Sequence, residues 1–224
     1  AAVTGAGDSV TAEWNDVPGV VIRDAGDPEL PLEIARHASG LAAMAVIRAA
    51  TALGTTTPAG GIALTVTKGL PLSAGQGGSA ASAVAGAAAV NALLGSPLGI
   101  PALLSACLAA EETVAGRHLD NIAPSLLGGI VLVRSIDPID VVALPVPPSL
   151  RVVLAHPNQR LRTADARAIL PREIPRATAV HQIAQVAAMV AALYTGDLAL
   201  LGRAIDDRIA EPARATLLPG FREA

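Results

Sequence analysis

The sequence predicts an α+β fold, and three observations carry that prediction. Segments that alternate apolar and polar residues stand between runs with helical spacing, but not in a regular βαβ rhythm. Of the 224 residues, 52% are hydrophobic, enough to bury a substantial core. Only 1% are aromatic, so that core is built from Ala, Val, Leu and Ile.

Taken in order, Ser9–Trp14 alternates and reads as a strand. Pro18 and Gly19 read as a turn, which makes "GVVIRD" the hairpin partner of that strand. Leu41, Met44, Ala45 and Ile47 recur near helical spacing, predicting a helix over 38–53 that Gly54 ends. Ile62, Leu64 and Val66 alternate within 61–69, a third strand. A Gly- and Ser-rich loop then runs into a helix over 79–94, and a second helix covers 99–115. "HLDNIAPSLLGG" reads as irregular with a short helix, followed by the strands "IVLVRS" and "VVALPV". Pro145–Leu150 is the best linker candidate, dividing the chain into domains 1–147 and 148–224. Beyond it "RVVLAHP" reads as a strand, with helices over 163–169, 174–194 and 197–209.

Charge and cysteine content narrow the function classes. The net charge is −3 and no long basic run occurs, which argues against nucleic acid as the main partner. Cys107 is the single cysteine, in an apolar helical setting, and reads as a small buried hydrophobe in a reducing compartment. The apolar run over 79–94 is Ala-rich, interrupted by Ser82, Gly86 and Asn91, and shorter than the ~20 residues a bilayer span requires. No stretch reads as a membrane span and no signal peptide is visible, so the expected location is cytoplasmic.

The most informative stretch is Pro71-Leu72-Ser73-Ala74-Gly75-Gln76-Gly77-Gly78-Ser79-Ala80, entering the Ala-rich helix. A helix start leaves N–H groups without partners and carries partial positive charge. A glycine-rich approach lets those groups converge on an anion, and Ser79 stands where an N-cap belongs. The spacing is neither that of a P-loop nor that of a dinucleotide fingerprint. A plain turn capped by Ser79 is the bland alternative.

Four motifs, in order, add a resemblance. The stretch from Pro71 to Ala81 resembles P-x-x-x-G-L-G-S-S-A-A, the central motif of the GHMP small-molecule kinases. "GRHLDNIAPSLLGG" is similar to G-H-P-D-N-V-A-P-A-L-L-G-G of that superfamily's homoserine kinases. "RTADARAILP" and "DDRIAEPARATLLPGF" are similar to the same family's T-x-x-A-R-x-x-L-P and D-x-x-x-x-P-x-R-x-x-L-x-P-G-F. The resemblance implies the GHMP kinase fold: an N-terminal ribosomal-S5-domain-2-like α+β domain and a ferredoxin-like C-terminal one.

The resemblance also implies an activity: ATP- and Mg²⁺-dependent phosphorylation of the side-chain hydroxyl of L-homoserine, in threonine biosynthesis, by a homodimer. Pro71 to Ala80 would cradle the nucleotide phosphates. Ser79 and a glutamate, assigned to Glu112 with its neighbour Glu111 as the alternative, would hold the metal. Asn121 would contact the acceptor, and Arg167 and Arg214 would hold its carboxylate. Read without the resemblance, Glu111, Glu112 and Arg167 are solvated surface charges, and Lys68 is a solvated strand-end lysine. His118 and Asp120 match family positions but read as no acid–base pair. Another GHMP-type kinase and a non-catalytic nucleotide-binding remnant are the alternatives.

The departures are local and terminal. Gln76 stands where the family has Leu, Gly78 where it has the first Ser, and Leu119 where it has Pro. An N-x-G-P-G-F-D motif expected ahead of Ser9 and a Gly-rich motif expected beyond Phe221 are not in these residues, so the chain reads as the central part of a longer enzyme.

Overall fold

The computed structural model describes residues 7–57, 60–72, 75–154, 163–218 and 220–221. By internal contacts the chain divides into two compact units between Ala143 and Leu144.

The first unit contains a three-stranded sheet: β1 (Ser9–Asn15), β2 (Gly19–Asp24) and β3 (Gly61–Thr67). The order is β1-β3-β2, with β1 antiparallel and β2 parallel to β3. The hairpin expected from Pro18-Gly19 is therefore not formed: β3 inserts between the two strands. Glycines make room for it. A Cβ on Gly61 would stand 2.1 Å from the Gly19 carbonyl oxygen and 2.2 Å from that of Val17, so the link from β1 to β2 wraps closely over the start of β3. As the central strand, β3 buries the alternating Ile62, Leu64 and Val66 as expected, and Ala63 of the opposite face as well, while Thr65 and Thr67 are exposed.

Among the described residues of the unit are four α-helices: α1 (Ala38–Ala52), α2 (Gly78–Leu93), α3 (Ile100–Val114) and α4 (Ile122–Leu127). Their contact residues are small. Ala42, Ala43, Ala80, Ala83 and Ala87 are wholly inaccessible, with Val46 and Val90 beside them. At Gly86 the backbone of α1 approaches so closely that a Cβ would lie 2.7 Å from the Ser39 carbonyl oxygen. The Ser39 hydroxyl also donates to the Ser82 carbonyl at 2.8 Å, tying α1 to α2. Cys107 is fully buried on α3, as expected, and burial first, then the nearby Glu111, pushes its thiol up to about 12. The expected strands after α4 form β4 (Ile130–Ile136) and β5 (Ile139–Leu144), a two-stranded sheet.

The second unit, described by itself, holds α5 (Thr163–Ala168), α6 (Arg176–Thr195), α7 (Leu198–Ala204) and α8 (Ala210–Arg214). The strand expected at "RVVLAHP" is absent over 151–154, where Val153 is 92% exposed; its remaining residues, 155–157, lie outside the described ones. The helix expected over 197–209 is shorter, ending at Ala204, and a separate helix begins only at Ala210. Asp197 caps α7 by accepting from the Leu200 N–H at 2.8 Å. Asp207 then accepts from the N–H groups of Ile209 and Ala210 at 2.8 and 2.9 Å and starts α8, because an Asp pair favours capping over helix continuation. The expectation of no span-length apolar helix is also corrected. By length and composition alone α6, with 20 residues, suffices to cross a membrane, a test that core helices of soluble proteins pass too.

One buried group makes stability depend on pH. His37, at the N-terminus of α1, is 3% exposed, and neither ring nitrogen has a hydrogen-bond partner among the described residues. Burial first, and then the Lys68 ammonium, hold its pKa below the ordinary 6.5, with Asp8 opposing. A lowered folded pKa means the unfolded chain binds the proton first as pH falls. The contribution of neutral His37 is therefore complete above about 6.5 and is lost as pH falls from there through the lower folded value. Urea unfolding from pH 7.5 to 5 will show His37→Asn with a shallower loss of stability than the parent. Equal slopes would contradict this account.

Candidate active site at the start of the Ala-rich helix

The glycine-rich loop does run into a helix, but the boundary differs from the sequence reading. Gly77, not Ser79, is the N-cap of α2, with φ 72° and ψ 33°, and as a glycine it offers no side-chain cap. The left-handed conformation is what excludes Ser79 from that place, since glycine alone adopts it without cost. Gly78 and Ser79 are the first two helical residues, and the Gly77 carbonyl accepts from the Ala81 N–H at 3.0 Å. The N–H groups ahead of Ala81 lie in the turn that has no intrahelical acceptor. Gly75 also has positive φ, at 70°. Pro71, Leu72 and Gln76 fall on the approach to the helix, and Ala80 is inaccessible within it. Ser73 and Ala74, also assigned to the cradle, lie outside the described residues.

Ser79 points along the helix mouth and donates to Glu111 Oε1 at 2.7 Å. Glu111 lies on α3 and is 6% exposed. Its neighbour Glu112 faces the surface, 52% exposed at the side chain, and pairs with Arg117 at 3.3 Å. Of the two glutamates considered for the metal, Glu111, the alternative, is therefore the one in contact with Ser79, and Glu112 is turned away. Adjacent residues on a helix point about 100° apart, so only one of the two can face α2. The sequence held a clue: Glu111 follows Cys107 by four positions and shares its buried face.

Asn121, at the start of α4, closes the other side. A Cβ placed on Gly77 would lie 2.9 Å from Asn121 Cγ and 3.0 Å from Oδ1, so the amide rests on the bare glycine. The first unit thus gathers Gly77, Ser79, Glu111 and Asn121 around one helix end. A serine hydroxyl and a carboxylate are hard oxygen donors, the type that binds Mg²⁺. Among the described residues no group of three or more His, Cys, Asp or Glu side chains is placed to hold a metal ion.

Arg167 and Arg214 both fall in the second unit. Arg167 is in the last turn of α5, and Arg214 Nε donates to the Ala166 carbonyl at 3.0 Å, which fastens the end of α8 to the backbone beside Arg167. Sequence reasoning missed two polar residues behind the loop, Asp8 and Ser82. Asp8 lies just ahead of β1, and its neighbour Ser9 pairs with Thr67, so it reaches Lys68 only through the β1–β3 register.

The GHMP kinases N-terminal domain family matches residues 40–129, which include the loop, Ser79, Glu111 and Asn121. A homoserine kinase of Chlorobium phaeobacteroides is 47% identical over 163 residues, 72% of this chain and 51% of that protein. A homoserine kinase of Arabidopsis thaliana is 40% identical over 83% of this chain and 50% of its own length. The crystal structure of a homoserine kinase from Cytophaga hutchinsonii superposes with a TM-score of 0.84 at 40% identity, covering 96% of this chain and 68% of that one. The chain spans about half the length of the curated relatives it matches.

The two loop glycines respond differently to a methyl group. Gly77 combines positive φ with contact against Asn121, whereas a Cβ on helical Gly78 meets nothing nearer than 3.8 Å. Gly77→Ala will lower stability by about 1–3 kcal/mol. Gly78→Ala will leave it unchanged or raise it by up to ~1 kcal/mol. Thermal and urea unfolding of the two variants checks this, and equal destabilisation would refute it.

Proposed function

The chain belongs to the homoserine kinase family of the GHMP kinases, and from that membership we propose that the protein carrying it transfers the γ-phosphoryl group of ATP to the side-chain hydroxyl of L-homoserine, releasing ADP and O-phospho-L-homoserine. The single observation that carries the reading is the juxtaposition at the start of α2: a glycine N-cap in the left-handed conformation, with the Ser79 hydroxyl 2.7 Å from buried Glu111. That arrangement suits phosphoryl transfer, where positioning and charge stabilisation do most of the work.

Each part of the reaction has a candidate in this chain. The first-turn N–H groups of α2 and the positive end of its dipole receive the phosphate oxygens. Ser79 and Glu111 would hold Mg²⁺, which when bound neutralises phosphate charge. Burial of Glu111 fixes its carboxylate, so the Ser79 hydroxyl keeps one orientation. Asn121 offers a neutral amide to the acceptor. Arg167 and Arg214 are the two guanidinium groups for a carboxylate, to which Arg binds as a planar fork. A carboxylate-bearing alcohol fits such a pair and a sugar alcohol does not, which favours homoserine over sugar acceptors; the match of Asn121 and its neighbours to the homoserine kinase motif favours it over mevalonate, which also carries a carboxylate. The assignment of a nucleotide-binding first domain and an acceptor-binding second domain, the homodimer and the cytoplasmic location belong to the same proposal.

The test is ADP release by the full-length protein with ATP, Mg²⁺ and a panel of alcohols. Turnover will depend on L-homoserine. Glu111→Gln will reduce kcat by about 10²-fold, the size of effect seen when one charge-stabilising group is lost. Glu112→Gln will stay within about twofold, since exposed ion pairs such as Glu112–Arg117 contribute little. No preference for homoserine over mevalonate-like or sugar alcohols would refute the acceptor assignment. Equal effects of the two glutamine variants would refute the metal-ligand assignment.

A further inference from the structure

Behind the candidate phosphate site lies a buried ion pair that the reaction does not use. The Asp8 side chain is fully buried and that of Lys68 is 9% exposed, and the two are in direct contact. Lys68, at the end of β3, also donates to Ser82 Oγ at 2.9 Å and lies 3.4 Å from the Gly78 carbonyl. Ser82 donates in turn to Asp8 Oδ2. The other Asp8 oxygen accepts from the N–H groups of Gly69 and Leu70, at 3.0 and 3.2 Å.

These bonds span both ends of the glycine-rich loop. Gly69 and Leu70 begin it; Gly78 and Ser82 belong to the first two turns of the helix after it. The approach is close enough to require glycine: a Cβ on Gly69 would fall 1.8 Å from the Gly7 carbonyl oxygen. The Lys68 ammonium, with three N–H groups, faces three oxygens and so contributes its charge to the strut. A buried ion pair with its hydrogen bonds satisfied contributes little to net stability, yet it is costly to break and holds one geometry. The expectation of a solvated strand-end lysine is thereby overturned.

We propose that Asp8, Lys68 and Ser82 form a positioning strut that fixes the start of α2 relative to the end of β3, and that nucleotide affinity depends on this spacing. The proposal rests on the phosphate-binding reading of the loop, but not on homoserine as the acceptor. Its residues act through the first-turn N–H groups and touch no substrate themselves.

The experiment measures the ATP dissociation constant, with Mg²⁺, of the full-length protein and of Asp8→Asn, Ser82→Ala and the double variant Asp8→Asn/Lys68→Met. The double variant removes both charges at once and keeps an acceptor for Gly69 and Leu70, so it leaves no uncompensated buried charge; circular dichroism confirms that it is folded. All three variants will weaken ATP binding by about tenfold, the loss of one or two hydrogen bonds' worth of ordering. The kcat at saturating ATP and the KM for the acceptor will stay within about threefold. A folded double variant that binds ATP as tightly as the parent would overturn the proposal. So would an effect confined to the double variant, with Asp8→Asn and Ser82→Ala binding ATP as the parent does, because the Lys68 charge would then be acting on phosphate directly. If the parent binds ATP but does not turn over homoserine, the acceptor assignment fails and the strut is still decided by the dissociation constants. If the parent binds no ATP, the phosphate reading and the strut fall together.

Discussion

The first unit depends on how closely α2 can be packed. A helix that presents its N-terminal N–H groups to a ligand must be held along its length by something other than the ligand. Here the holding is done by backbone proximity. Ser39 of α1 stands against Gly86, and Ala80, Ala83 and Ala87 leave no room for anything larger between the helices. Interiors packed at crystal-like density resist displacement, and sub-ångström shifts meet steep repulsion. The low aromatic content of the chain is the compositional side of the same constraint. A core of Ala and Val gives little area per residue, so its elements must come close.

The electrostatics follow from that packing. Burying Asp8 against Lys68 cancels one pair of charges at the back of the loop. The front then holds two features of opposite sign: the positive end of a 16-residue helix and the carboxylate of Glu111. A lone anion would be drawn to the helix end and repelled by Glu111, and a lone cation the reverse. A complex that joins a cation to an anion, as a metal-bound nucleotide does, would satisfy both at once. The front of α2 is thus matched to a charge pattern, which is a narrower requirement than an anion site.

How much of this was legible depended on whether the cause was local. The helices α1, α2 and α3 were placed within a residue or two, because their periodicity and glycine stops lie in the segments themselves. The hairpin was misread because Pro18-Gly19 is a good local turn, and nothing near it says that β3 comes between the strands. The N-cap was set two residues late because serine has the better capping side chain. The fold instead needed positive φ there, which is a property of where the loop arrives. Glu111 and Glu112 are chemically identical in sequence, and only the packing direction of α3 separates them. The break of the 197–209 segment was written in Asp206-Asp207 but outweighed by the apolar run before it. Asp8 and Ser82 gave no signal, being 74 positions apart and joined only by register.

The departures at Gln76 and Gly78 bear on how such a site tolerates change. If the loop recognised phosphate through side chains, loss of a hydroxyl at 78 would remove a contact outright. On the proposed reading the donors are backbone N–H groups, and every residue type except proline supplies one. What the site requires of its side chains is confined to a few positions: no Cβ at Gly77, where Asn121 rests, a hydroxyl at Ser79, and a small residue at Ala80, which is inaccessible. Position 78 is under no such demand, since its nearest neighbours are 3.8 Å from where a Cβ would be. Drift at 78 therefore leaves the arrangement of donors intact, while the same substitution one residue earlier would displace Asn121.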